Sequence, residues 1–283
     1  MTSDWQWDET LFAGAAAYYE RGRLPYASGL ADAMAQALRL DGRGRLLDVG
    51  CGPGTVTLRL ASLFDQVVGL DADAAMLEEA ARLAAERGVA NARWVHKRAE
   101  ELPAALGMFR TITFAASFHW MDRPKVAAAA LAMLEPGGAI VHIDNHQDSF
   151  DNSALPHASL PAQAIVDLTR RYLGPDRRAG RSVRNTSPSD EDEVFRAAGL
   201  EGPRRVAVPD GRVLTRTIDD LVANNFSASS STPYLFGDRR DDFERDLRNL
   251  LARESPSGLF AVRLPDNELK IWTPVAGTFP PRR

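Results

Sequence analysis

The sequence predicts an α/β fold, a mostly parallel sheet with helices packed on both faces. Three observations point there. Short apolar runs alternate with alanine-rich stretches of helical periodicity between Arg45 and Ile143. The first run ends in a loop with glycine at alternate positions, Gly50, Gly52 and Gly54. Successive runs are separated by segments long enough to cross back over a sheet, which parallel pairing requires.

The elements follow in order. Residues 10–40 read as helices, with Leu30, Met34, Ala37 and Leu38 at helical spacing. The segment 18–26 interrupts them, and Pro25 is expected to open the next helix. Residues 45–49 form a buried strand and 55–63 a helix. Residues 66–70 are a second strand and 74–87 a second helix, stopped by Gly88. The third and fourth strands are 92–96 and 109–117, followed by a helix at 124–134. Pro136-Gly137-Gly138 turns the chain into a fifth strand at 139–143. Residues 145–190 hold loops, one helix at 160–173 and many arginines, and read as an inserted cap. A helix at 190–198, a strand at 204–208 and an amphipathic helix at 238–252 come next. Residues 260–264 and 269–273 are expected to close the fold as an antiparallel pair. The whole is one domain: N-terminal helices 1–40, core 45–144, cap 145–190, and the rest of the sheet in 191–283.

Composition narrows the function. A chain of 283 residues suits one large α/β domain or one with a lid. A net charge of −4 offers no general basic surface, so nucleic acid is not the expected partner. Cys51 is the only cysteine, which excludes an internal disulfide and a cysteine-based zinc site. No metal is expected. Residues 1–9 are polar and acidic, unlike a signal peptide, and no apolar run approaches the roughly 20 residues of a membrane span. A cytoplasmic protein without a membrane partner is the expectation.

The glycine loop carries the chemistry. Alternate glycines after a strand let the backbone turn sharply and let a ligand approach the main chain. A plain strand–helix turn is the bland alternative. A dinucleotide loop wants its third glycine one residue later, where Thr55 stands, and no Gly-Lys-Ser/Thr follows for a P-loop. Asp48, beside the loop, repels a pyrophosphate and attracts the ammonium of an amino acid. Asp71 ends the second strand and can accept both hydroxyls of a ribose. S-adenosylmethionine joins an ammonium and a ribose in one molecule; NAD lacks the first.

With these residues in view, 45–143 resembles a class I S-adenosylmethionine-dependent methyltransferase, whose sheet is Rossmann-like, seven-stranded and mostly parallel. Asp48-Val49-Gly50-Cys51-Gly52-Pro53-Gly54 resembles that family's first motif in full. Asp71 matches its ribose-binding acid, and Leu134-Glu135-Pro136-Gly137-Gly138 its turn before the fifth strand. Ala116-Ser117-Phe118-His119-Trp120-Met121-Asp122 is similar to the small-molecule subgroup that includes trans-aconitate methyltransferase and the ubiquinone and biotin pathway enzymes. The stretch from Tyr19 to Tyr26 fits the same subgroup. Arg110 departs from it, since aspartate is usual there, and this bears on local loop packing.

The resemblance implies a cofactor site. Asp48, Gly50, Cys51, Gly52 and Gly54 would bind it at the glycine loop, Asp71 would hold its ribose, and Ala72 and Met76 would join the cofactor-binding set. Ala99 and Glu100 would hold the adenine, unless that loop is merely solvated. Ser117 and Phe118 follow the fourth strand, at the sheet edge where ligands collect. Tyr19 and Arg23 would close over the cofactor and reach its carboxylate; the alternative is ordinary helix packing.

His119 is the first candidate for a catalytic base and His146 the second. His119 can equally shape the pocket against Trp120. His142, inside the fifth strand, reads as a satisfied core histidine. Arg170, Arg171, Arg177, Arg178, Arg181 and Arg184 either hold an acidic substrate or form a surface neutralised by the acidic run 190–193. Cys51 lies near a helix N-terminus, which can lower a thiol pKa, but is assigned no chemistry. The expected reaction is methyl transfer by in-line displacement to oxygen or nitrogen of a small molecule, by a monomer or homodimer. A carboxyl methyltransferase acting on a carrier-protein thioester and a non-catalytic cofactor-binding protein are the alternatives.

Overall fold

The computed structural model describes residues 8–146, 155–180, 182–183 and 190–277. Its centre is a seven-stranded sheet in the order β3-β2-β1-β4-β5-β12-β9. The strands are β1 (Arg45–Val49), β2 (Gln66–Asp71), β3 (Ala92–His96), β4 (Phe109–Ala115), β5 (Leu134–His146), β9 (Leu200–Val208) and β12 (Asp266–Pro274). All neighbours among β1 to β5 pair in parallel. β12 is antiparallel to both β5 and β9 and lies between them. The α/β sheet expected from the sequence is therefore present.

Two cores sit on the two faces. On one, Ile112, Phe114 and Ile140 of the sheet meet Val126, Ala127 and Ala130 of α5 (Arg123–Ala132) and Phe195 of α7 (Glu191–Ala197). On the other, Leu46, Val67 and Val141 meet Leu30 and Met34 of α2 (Leu30–Leu38) and Val56 and Leu60 of α3 (Thr55–Leu60). Strands buried on both faces read as continuous apolar runs, which is why 45–49 and 66–70 were legible without alternation. α4 (Ala74–Glu86) begins at Asp73, whose carboxylate accepts the amides of Ala75 and Met76.

A third core makes the cap. Leu168 of α6 (Ala162–Leu173), Leu221, Val222 and Phe226 of α8 (Ile218–Phe226), and Phe243 and Leu247 of α10 (Arg240–Glu254) pack together. Phe236, in the short α9 (Pro233–Phe236), stacks on Phe243 at 4.0 Å. A small sheet edges this core: β10 (Val213–Thr217) pairs with β11 (Leu259–Arg263), and β11 with β6 (Ala158–Ser159). The strands β7 (Arg178–Ala179) and β8 (Ser182–Val183) form a separate hairpin. The cap thus draws on segments before and after β9.

Three local expectations are corrected. The strands near 260 and 270 do not pair with each other; β11 joins the cap sheet and β12 the central one. Leu269 and Ile271 find the apolar face of the main sheet, while Phe260 finds the cap core. Pro25 does not open a helix: α1 (Ala16–Gly22) ends before it, and α2 starts at Leu30. Arg110 does not loosen its loop, because it binds Asp41 and the carbonyls of Arg43 and Arg39. No helix among the described residues is long and apolar enough to cross a membrane.

Candidate active site

β1 delivers the chain to the glycine loop at the carboxyl edge of the sheet. Gly50 has φ of +70° and no room for a side chain, since a Cβ would stand 2.6 Å from that of Ser117. The amides of Gly50 and Cys51 donate to Leu70 O, fastening the loop to the end of β2. Gly52 N–H donates to Asp71 Oδ2 at 2.7 Å, and Asp73 N–H to Asp71 Oδ1 at 2.9 Å. Each oxygen of Asp71 is thereby aimed while lone pairs remain for further donors. Burial pushes the Asp71 carboxyl above its ordinary pKa, and these backbone amides oppose the shift.

A cavity of about 670 Å³, including its open mouth, lies over this edge. Gly50, Gly52, Asp71, Ala72 and Met76 line it. Ala99, Glu100 and Ser117 line it too, and so does Tyr19 of α1. Nine residues expected at a cofactor site therefore share one cavity. Glu100 Oε1 accepts the amide of Asp122 at 2.9 Å, tying the loop after β3 to the loop after β4. Ser117 donates its hydroxyl to Val49 O at 2.6 Å, so it braces the glycine loop. The sole cationic side chain among the described wall residues is Arg98, against the two carboxylates of Asp71 and Glu100.

Other expected residues are not on the wall. Asp48 is 1% exposed, and its oxygens take the hydroxyls of Thr57 at 2.6 Å and Thr113 at 2.8 Å. It anchors β1 from within, and burial pushes its carboxyl up to about 6. Phe118 is fully buried, stacked on Phe195 at 4.5 Å, and belongs to the core. Gly54 caps α3 beneath the loop, where a Cβ would strike Trp94. Cys51 is buried, and burial drives its thiol well above the ordinary value, opposite to what a helix N-terminus alone suggests. Arg23 lies behind the wall, with its guanidinium 5.0 Å from the Tyr19 ring and Nη2 donating to Ser227 O.

The three histidines near the site fall in different places. His119 is exposed beside the wall, its ring 4.8 Å from that of Trp120, which does line the cavity. His146 ends β5, and its side chain lies outside the described residues. His142 is buried, but not in an apolar niche: Asp144 and Glu191 each stand 3.4 Å from its ring.

Leu11, Phe12, Trp120 and Met121 also line the wall, beside Leu70, Ala115 and Ala116, and sequence reasoning missed these four as site residues. Phe12 meets Trp120 edge-on at 6.1 Å. Trp120 and Met121 had a signal, since both stand inside the segment 116–122 already singled out. Leu11 and Phe12 had none; they fall in a stretch read as helix that is a turn before α1. The cap arginines Arg171 and Arg177 are exposed, and Arg170 lies 3.9 Å from Asp167. Arg181, Arg184 and the Arg178 side chain lie outside the described residues. Within the acidic run, Asp190 pairs with Arg123 and Asp192 with Arg205 at 2.8 Å among the described residues.

Comparison with known proteins agrees with this geometry. Residues 46–138 match the family model described as a methyltransferase domain. The chain carries a methyltransferase domain. Over 103 residues it is 32% identical to the uncharacterized methyltransferase YcgJ of Bacillus subtilis, covering 36% of this chain and 41% of that one. Over 137 residues it is 37% identical to a trans-aconitate 2-methyltransferase of Pseudomonas paraeruginosa, covering 46% of this chain and 48% of that one. The chain thus spans about half the length of the curated relatives it matches. The CcbJ methyltransferase of Streptomyces caelestis superposes with a TM-score of 0.52, at 18% identity, covering 95% of this chain and all of that one. That likeness speaks for the fold.

Proposed function

We propose that the chain binds S-adenosylmethionine in this cavity and transfers its methyl group to a small carboxylic acid. One observation carries the reading: a methyltransferase domain whose glycine loop, Asp71 and the loop at Ala99–Glu101 converge on a single cavity. The residues fit the cofactor. Asp71 has carboxylate lone pairs at the wall for two ribose hydroxyls. Met76 and Ala99 offer apolar surface for a flat base. A wall with two carboxylates and one arginine favours a cationic ligand. The bound cofactor supplies an electrophilic methyl on a sulfonium.

The protein's contribution is placement. Tyr19, Phe12 and Trp120 border the cavity with aromatic surface that keeps water out. An acceptor held in line among them gains most of its acceleration from proximity. A carboxylate acceptor is already ionised at neutral pH and needs no base. For a protonated nucleophile, His119 beside Trp120 is the base. The choice of a carboxylic acid as acceptor rests on the likeness to a trans-aconitate 2-methyltransferase.

The test is turnover. The protein is incubated with S-adenosylmethionine and a panel of di- and tricarboxylic acids, amines and phenols, and S-adenosylhomocysteine is measured by mass spectrometry. Acceptor-dependent product with an acid supports the reading. Tight cofactor binding without product from any acceptor would sink the enzyme assignment and leave a binding protein.

A further inference from the structure

α1 is joined to the cap far more closely than to the sheet. Gly22 packs on α8 with no space between backbones, since a Cβ would stand 2.3 Å from Ala223 O. Asn224 Nδ2 donates to Gly22 O at 2.9 Å. Tyr18 meets Phe226 at 5.1 Å and receives a hydrogen bond from Arg240 at 2.6 Å. Gly14, just before α1, faces Pro233 of α9, which a Cβ there would meet at 3.3 Å. Toward the core, by contrast, α1 offers Glu20 to Arg82 and Arg87 through side chains exposed by more than two fifths. Exposed pairs of that kind hold little.

Arg216 stands at the centre of the join. It comes from β10, is 7% exposed, and reaches no part of the cavity. Its Nη2 lies 2.8 Å from Arg21 O, 2.8 Å from Gly22 O and 3.1 Å from Asp220 O. The first two are carbonyls at the C-terminus of α1, which a cation satisfies well. The same helix and the chain before it carry Tyr19, Phe12 and Leu11 into the cavity.

We propose that Arg216 is a positioning residue that makes the N-terminal wall of the cofactor cavity a part of the cap. The wall and the cap then move as one body. Cofactor that closes Leu11, Phe12 and Tyr19 onto itself also sets the position of α8, and an acceptor held by the cap feeds back on cofactor affinity to the same degree.

The first test needs no ligand. Hydrogen exchange is compared between the wild-type chain and Arg216→Ala. The amides of residues 8–22 exchange about tenfold faster in the variant, the loss of hydrogen bonds from a charged donor, while those of β1, β2 and β4 keep their rates. Wild-type protection of residues 8–22 in the variant overturns the proposal. If α10 also loses protection, so that the whole cap has melted, Arg216→Lys and Asn224→Ala are used instead. Both should loosen residues 8–22 by less, with α10 unchanged; no loosening in either overturns it.

The second test rests on the cofactor reading. S-adenosylhomocysteine is titrated by calorimetry and its effect on exchange is then mapped. In the wild type it protects α8, which it does not touch; in Arg216→Ala binding is about tenfold weaker and that remote protection is lost. Protection confined to cavity residues overturns the proposal. A wild-type chain that binds no S-adenosylhomocysteine refutes the cofactor reading instead and leaves the exchange result without ligand standing.

Discussion

Asp48 and Asp71 show how two carboxylates on neighbouring strands acquire different work. Asp71 stands at a strand end, on the cavity wall, so Asp71→Ala should weaken cofactor binding by about 1–3 kcal/mol through unpaired ribose hydroxyls. Calorimetry with unchanged affinity would take Asp71 out of the site. Asp48 is interior, and its folded pKa of about 6 lies above the ordinary 3.8. A carboxyl raised in this way stabilises the fold below its unfolded pKa, and that stabilisation is lost as pH rises through the folded one. The stability difference between wild type and Asp48→Asn should therefore shift against the wild type by up to about 3 kcal/mol from roughly pH 4 to pH 6. Urea unfolding across that range measures it, and a flat difference removes the buried charge from the account. His119→Ala should lower turnover with a protonated nucleophile by about 10²–10⁴-fold while leaving cofactor affinity nearly unchanged. Equal losses in both would assign the ring to packing on Trp120.

At the scale of elements, short-range chemistry explains most of what was legible. β1, β3 and α4 could be read within a residue because their signals are local: apolar runs, an Asp73 cap and a Gly88 stop. β10 and α8 were missed although α8 has a capping box, with Thr217 accepting the Asp220 amide and Asp220 accepting that of Thr217. Its apolar residues face a core assembled from distant segments, and its short length leaves little periodicity to see. Thr217→Ala should cost about 1 kcal/mol, seen as a lower melting temperature with the S-adenosylhomocysteine affinity of the folded chain little changed.

For the whole molecule, Phe195 joins the parts. It stacks on Phe118, lies 5.2 Å from Trp272, and holds α7 to the sheet beneath the loop that carries Ser117 and Trp120. Phe195→Ala should destabilise the chain by about 3–5 kcal/mol, measured by denaturant unfolding. A loss under 1 kcal/mol would show that this core relaxes around the gap. The large number of cavity residues recovered from one glycine motif also has a whole-molecule cause. A parallel sheet brings the ends of β1, β2 and β4 to the same edge, so loops far apart in sequence converge.

Local signals in the chain carry the α/β class, the glycine loop, the acid at the end of β2 and the positions of the first five strands along the chain. These rest on local backbone propensity and on a pattern that parallel sheets impose. The order of those strands in the sheet, the inward turn of Asp48 and Phe118, the parting of β11 from β12 and the packing of α1 on the cap emerge with tertiary packing. Each of those depends on which face or partner a side chain meets across distances of tens to hundreds of residues, and no local pattern carries that information.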